Sequence, residues 1–262
     1  MKITNILGCA FSLLIIGCSR QETETAQPQP RRARQTPPPS QQSLTNPPSA
    51  PAVPPTQVAG NHETKPIDLT KYYTTPASYF DQIENYPWRD VPRGAQTFGH
   101  VPLDIGGMIC LWGGSNAKRG AVFPEQVTGI AVTRKFDALY LYHAAFSSSP
   151  DGTPVAELVF RYDDGTSFTN AICYGTHVRD WYEKKGEPEW LTDSKSKVVW
   201  RGVNSTSRSV PPSMLRFFIT EIANPKPLVV VTTIDLFSLK TKTAPCMLAM
   251  TTGPAQLLRV EP

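Results

Sequence analysis

The chain has 262 residues, with 26 Lys+Arg against 22 Asp+Glu and a formal net charge of +4. The surplus is uneven: residues 1–65 hold 6 basic and 3 acidic side chains, whereas residues 66–262 hold 20 and 19. The larger part therefore lacks the basic footprint of a nucleic-acid-binding domain, and nucleic acid is excluded as a partner.

The chain opens on Lys2, the apolar stretch Ile3–Ile16, then Gly17 and Cys18. A charged start, a short apolar core and a small residue at the would-be cleavage site give the order of a signal peptide. The apolar stretch is too short for a membrane span, which needs about 20 residues. Leu14-Ile15-Ile16-Gly17-Cys18 resembles the lipobox of bacterial lipoproteins. That resemblance implies cleavage before Cys18, lipidation of Cys18 with palmitate-type acyl chains, and export. The product is then a lipoprotein anchored to the cell membrane or the outer membrane. Each buried CH₂ contributes about 0.8 kcal/mol, and two or more chains anchor stably.

Residues 18–65 are predicted to form a disordered linker. Gln, Pro, Ser, Thr and Ala dominate, as in Gln27-Pro28-Gln29-Pro30, Pro37-Pro38-Pro39 and Pro54-Pro55. Such a segment buries too little apolar surface to offset its ordering entropy. As polyproline II, roughly 45 residues at about 3.1 Å each reach about 140 Å; as a flexible coil they span about 40 Å. Arg31-Arg32-Ala33-Arg34 reads as a solvated charge run, with contact to anionic headgroups or cell-wall polymers as the alternative.

Residues 66–262 read as one all-β domain, long enough to bury a sizeable core. Runs rich in β-branched and aromatic residues recur between turn signals: 108–112, 127–132, 138–144, 155–162, 167–174, 197–201, 215–222, 228–239 and 247–251. Turns are expected at Gly113-Gly114, Asp151-Gly152, Asp164-Gly165 and Asn224-Pro225, with Asp164-Gly165 the strongest hairpin signal. In the fourth run, Ala156, Leu158, Phe160 and Tyr162 form the better core face. Tyr79–Glu84 reads as a single helical turn. Many strands without intervening helices predict a two-sheet antiparallel β-sandwich or jelly roll.

Of the five cysteines, Cys9 leaves with the signal peptide and Cys18 is the lipid site. Cys110, Cys173 and Cys246 remain, all with apolar neighbours. Three buried free thiols are expected, with one disulfide and one free thiol as the alternative. No Cys/His spacing suggests zinc.

Several phrases resemble β-sandwich modules of secreted bacterial proteins, related to galactose-binding-like and carbohydrate-binding jelly rolls. They are Thr97-Phe98-Gly99-His100-Val101-Pro102-Leu103-Asp104-Ile105-Gly106-Gly107, Arg134-Lys135-Phe136-Asp137-Ala138 with Leu139-Tyr140-Leu141-Tyr142-His143-Ala144, and Tyr162-Asp163-Asp164-Gly165-Thr166. Tyr174-Gly175-Thr176-His177-Val178-Arg179-Asp180-Trp181, Val199-Trp200-Arg201-Gly202-Val203-Asn204 and Thr233-Ile234-Asp235-Leu236-Phe237-Ser238 complete the set. The resemblance implies the sandwich fold over roughly 97–251 and points toward carbohydrate; a shared fold alone assigns no function.

The ligand-binding candidates are His143, His177, Arg179, Asp180, Trp181, Trp200 and Asn204. Trp181 offers a flat face for a sugar ring, Arg179 a donor fork and Asp180 an acceptor, on a rim after the fifth run. The competing reading has Arg179 paired to Asp180 and Trp181 plugging the core. Trp200 and Asn204 make a second such phrase, the competing reading being a strand end in which Gly202 supplies an unusual backbone angle. His143 closes an apolar strand and reads as a satisfied core histidine; a His143/His177 pair with Asp180 would suggest metal or acid–base chemistry. No cofactor is implied. The fold resemblance allows a structural calcium at Asp151-Gly152-Thr153 or Asp163-Asp164-Gly165-Thr166, but neither turn has the ligand spacing of a calcium loop.

Catalytic motifs are missing: no Gly-x-Ser-x-Gly elbow, His-Glu-x-x-His or phosphate loop occurs. A glycosidase would need two placed carboxylates, for which Asp180 with Glu183, Glu187 or Glu189 are the candidates. The expected function is a surface-tethered, non-catalytic lipoprotein binding carbohydrate or another cell-envelope polymer. The alternatives are an envelope scaffold with a protein partner and a glycoside-active enzyme.

Overall fold

The computed structural model describes residues 62–78, 90–204, 207 and 214–258. Cys18, the linker up to residue 61 and the expected turn at Tyr79–Glu84 lie outside the described residues. The described residues all fall in the unit Val58–Pro262.

The described strands are β1 (Lys65–Pro66), β2 (Thr75–Pro76), β3 (Gly94–Phe98), β4 (Val101–Ile105) and β5 (Gly107–Cys110). A single-turn helix α1 (Gly114–Ala117) precedes β6 (Gln126–Arg134), β7 (Ala138–Phe146), β8 (Pro154–Tyr162) and β9 (Ser167–Cys173). The remaining strands are β10 (Ser196–Gly202), β11 (Leu215–Ala223), β12 (Val231–Ser238) and β13 (Ala244–Gly253). Every run expected from the sequence contains a strand, although residues 111–112 and 228–230 lie outside β5 and β12. β1 to β4 were not expected, because they are short, interrupted by Pro66, Pro76 or Pro102, or have too few apolar residues to show a period. Gly113-Gly114 leads into α1 rather than making a simple turn; a Cβ on Gly113 would stand 2.3 Å from the Ala244 nitrogen.

The strands form an antiparallel β-sandwich. One sheet runs β10-β11-β7-β13-β5-β2, with β1 added to β13; the other runs β6-β12-β8-β9. β7 lies near the middle of the larger sheet and all nine of its residues are buried. Leu139, Leu141 and Ala145 enter the core between the sheets with Leu158, Phe160, Tyr162, Ile234 and Leu236. Ala138, Tyr140, Tyr142, Ala144 and Phe146 enter a second core on the opposite face, beneath Val101, Leu103 and Ile105 of the β3–β4 hairpin. A strand covered on both faces reads as a continuous apolar run rather than an alternating one. β13 behaves alike, and its register shift between Met247 and Ala249 sends Leu248 and Ala249 to the second core while Met247 and Met250 stay in the first.

The sandwich has two different ends. Register places the end of β7 beside the starts of β13 and β11, so the 147–153, 174–195 and 239–243 loops gather there. The chain enters at the other end, where Lys65 pairs with Thr252 and His62 meets Asp137 at 3.2 Å.

Cys110 and Cys246 are opposed in register on β5 and β13 and form a disulfide, with Cys173 free. The expectation of three free thiols is thus corrected. Pairing of adjacent strands brings together two residues 136 apart, which local sequence cannot show. Closing a loop that long removes about 5 kcal/mol of unfolded-state freedom in the chain-entropy model. The double replacement Cys110→Ala, Cys246→Ala is expected to lower unfolding free energy by about 2–5 kcal/mol. Urea titration of both proteins checks this, and equal midpoints would show that the bridge adds nothing.

Candidate functional site

The loop end of the sandwich is closed by residues 174–195. Gly175 starts this segment at φ +77, and a Cβ there would lie 2.4 Å from the Asp151 carboxyl carbon. Glycine therefore lets the β7–β8 turn pack directly on the segment. The chain then runs beside the end of β7: Ala145 N–H donates to the Arg179 carbonyl oxygen at 3.1 Å, and Trp181 N–H to the Ala145 carbonyl oxygen at 2.9 Å.

Two buried arginines hold this closure. Arg179 forks onto Asp151, with both nitrogen–oxygen distances 2.8 Å, and its Nε donates to the Trp190 carbonyl oxygen at 3.3 Å. Arg216 points inward from β11, donates through Nε to the Asp180 carbonyl oxygen at 3.0 Å and through Nη2 to Glu187. Glu187 also accepts from the Tyr174 hydroxyl and lies 3.6 Å from Arg179. The Asp180 carboxylate faces Lys184 Nζ at 3.1 Å and the Ser148 hydroxyl at 3.4 Å. Burial pushes the Asp180 carboxyl above its ordinary value, against the pull of Lys184. Burial and the bond to Glu187 likewise push the Tyr174 hydroxyl up, so it stays protonated and donates. Three cations thus balance three carboxylates, with Lys184 and Asp151 at the surface and the two arginines, Asp180 and Glu187 largely withdrawn from water.

A second polar chain lies between the sheets. The Thr220 hydroxyl meets His143 Nε2 at 2.8 Å and the Ser196 hydroxyl at 2.9 Å, and donates to the His177 carbonyl oxygen at 3.1 Å. Ser196 donates to Asp193 Oδ2 at 2.8 Å, which lies 4.0 Å from His177 Nε2. His177 Nδ1 accepts from the Cys173 N–H at 2.9 Å, so neutral His177 carries its proton on Nε2, facing Asp193. Burial, with His177 nearby, depresses His143 from the usual 6.5 to about 3 and keeps it neutral.

The predicted site residues divide as follows. His143, Arg179, Asp180, Trp181 and Asn204 are buried, and His177 and Trp200 are half-buried. His143 and His177 share one network, but its carboxylate is Asp193 rather than Asp180. Arg179 and Asp180 do not pair with each other; they bind Asp151 and Lys184. Trp181 packs on Phe146 at 5.6 Å between ring centroids, and Trp200 on Phe217 at 5.3 Å. Gly202 is needed for space, not for an unusual angle: a Cβ would lie 2.2 Å from the Trp200 ring. Asn204 accepts from the Ser207 N–H, and its own N–H donates to the Ser207 hydroxyl at 2.8 Å, tying a turn together. These side chains build the rim rather than line an open face. The turns considered for calcium are bound internally: Asp151 by Arg179, and Asp164 by Thr166 and Lys226 at 3.0 Å.

Two features escaped sequence reading. Trp190 is 71% exposed, although the backbone at its carbonyl is clamped by Arg179. Beside it, Glu189 lies 3.7 Å from Arg201, which also meets Glu183 at 3.3 Å. The signal was a tryptophan among Glu187, Pro188 and Glu189, outside any strand period. The other is Arg216, a lone charge in the apolar run Leu215-Arg216-Phe217-Phe218-Ile219, a pattern that demands a buried partner.

No protein-family model matches the chain, and no curated protein does either. Fold and side chains together define an all-β sandwich with one end sealed by buried ion pairs and one exposed indole on the seal.

The His143 environment sets an acid response. Its folded value is depressed, so between about pH 6.5 and pH 3 the unfolded chain binds a proton that the folded chain refuses. Stability is full above pH 6.5 and falls with acidification by roughly 1.4 kcal/mol per pH unit for one such group. His143→Gln is expected to flatten this slope by about one proton, as read from urea unfolding at a series of pH values. An unchanged slope would show that His143 is protonated in the folded protein.

Proposed function

We propose that this protein is an exported, lipid-anchored, non-catalytic lipoprotein whose sandwich binds a carbohydrate polymer of the cell envelope or its surroundings. The observation that carries the reading is Trp190, a large aromatic face turned to solvent, whose backbone carbonyl accepts from Arg179, itself forked onto Asp151. An indole stacks on the apolar face of a sugar ring, while Glu183, Glu189 and Arg201 supply acceptors and donors for hydroxyls. In this reading the binding role expected for Trp181 passes to Trp190, and Arg179 acts by positioning the Trp190 backbone.

Two further observations support the reading. A buried disulfide fits an oxidising compartment, and hence export. β1, the first strand of the domain, lies at the end opposite Trp190, where Lys65 pairs with Thr252. The glycosidase alternative gains nothing, because Asp180, Glu183, Glu187 and Glu189 each lie against a cation.

Retention of the chain lacking residues 1–18 on a panel of immobilised polysaccharides tests the binding reading. Trp190→Ala is expected to weaken retention about tenfold, near 1.4 kcal/mol, with unfolding unchanged. Failure to bind any polysaccharide, or equal binding by the variant, would count against it. Metabolic labelling with a radioactive fatty acid tests the anchor: label is expected on the parent chain and lost in Cys18→Ser, and equal labelling of both would place the lipid elsewhere or nowhere.

A further inference from the structure

Among the described residues, the edges of the two main sheets are closed in different ways, and one is left largely uncovered. At β6 the Tyr72 hydroxyl donates to the Gly129 carbonyl oxygen at 2.8 Å and accepts from the Ala131 N–H at 3.3 Å, while Arg134 Nε covers the Val132 carbonyl oxygen. β10 carries Lys197 and Arg201 and a register shift between Val198 and Trp200. β1 and β2 have two residues each, one of them proline. These are the usual devices against edge-to-edge pairing. Among the described residues β9 carries only a register shift at one end, between Pro154 and Ala156 of β8; from Ala156↔Ile172 to Arg161↔Ser167 its pairing is regular, and Ser167 to Ile172 include no charge, proline or glycine.

The hydrogen-bond phase of β9 follows from its turn. Tyr162 N–H donates to the Thr166 carbonyl oxygen at 3.0 Å, so alternate residues Phe168, Asn170 and Ile172 exchange bonds with β8. Ser167, Thr169 and Ala171 turn their N–H and C=O groups outward, and all three residues are exposed. On the same edge Phe168 is 38% exposed and Asn170 Nδ2 is buried without a hydrogen-bond partner.

We propose that β9 pairs antiparallel with β9 of a second copy about a two-fold axis at Thr169, joining two four-stranded sheets into one. Thr169 then faces Thr169, and Ser167 faces Ala171 in both directions, giving about six backbone hydrogen bonds. No like charges are brought opposite one another. Phe168 of one copy lies across from Asn170 of the other on the inner face. The second copy is the occupant the edges select: the other edges of both sheets are blocked, so β9 finds an open counterpart in another β9. Such pairing closes on itself instead of growing into a fibre. The interface is small and therefore weak, formed at high local concentration.

In-membrane cross-linking of the full-length protein tests this. Thr169→Cys in a Cys173→Ser background is expected to give a covalent dimer under mild oxidation, because paired Cα atoms about 5.5 Å apart fall within disulfide reach. Lys197→Cys on the β10 edge, in the same background, is expected to stay monomeric. Equal cross-linking at both positions, or none at Thr169→Cys, overturns the pairing. As an independent readout, sedimentation equilibrium of the chain lacking residues 1–18 at about 0.1–1 mM, the range of weak interfaces, should show mass rising toward twice the monomer. Thr169→Lys should hold it at the monomer mass with unchanged circular dichroism. A parent that stays monomeric, or a folded Thr169→Lys variant that still dimerises, would also overturn it.

Discussion

A strand buried on both faces has to be covered twice, and β7 imposes that condition on the rest of the molecule. Its inward residues meet the four-stranded sheet, and its outward tyrosines and Phe146 need the β3–β4 hairpin and Trp181 above them. Phe98 stacks on Tyr142 at 5.4 Å, and Phe217 lies 5.4 Å from the same ring. The Tyr140 hydroxyl reaches the Pro254 carbonyl oxygen and the Leu257 N–H, which draws the end of the chain over the second core. The Cys110–Cys246 bridge ties β5 to β13 within this doubly covered sheet.

Coverage of the faces leaves the ends of the sandwich to be sealed, and there polar chemistry takes over from apolar burial. At the loop end, backbone groups of 174–195 run beside β7 and β11, where water cannot reach all of them. Arg216 and Arg179 satisfy carbonyl oxygens of Asp180 and Trp190, and the charge they bring is matched by Glu187 and Asp151. Removing one member of such a network strands a buried charge, so its members are coupled rather than individually stabilising. Arg179 also holds the backbone at Trp190, whose side chain stays 71% exposed on the closure.

Strand composition showed the fold class well before the architecture. Runs such as Ala138–Ala144 and Leu215–Ile222 carry their β character locally, in branched and aromatic side chains. The β3–β4 hairpin was illegible because Gly94–Phe98 has no apolar period and Pro102 interrupts Val101–Ile105. The candidate site was partly legible: the rim phrase from His177 to Trp181 lies where the loops gather, but the partners of its side chains were not legible. Arg179 and Asp180 are adjacent in sequence and still bind different partners, since neighbouring side chains in an extended segment point opposite ways.

The sequence by itself determined the all-β class, the turn at Asp164-Gly165, the near-neutral charge of the domain and the signal-like start ending at Cys18. Each of these depends on residues close together in the chain. Tertiary structure alone decided which cysteines pair, which carboxylate each arginine takes, that Trp181 is covered while Trp190 is not, and that β9 ends its sheet. Those outcomes depend on the register of strands far apart in sequence, such as β5 with β13 and β7 with β11, and register is a property of the assembled sheets rather than of any one segment.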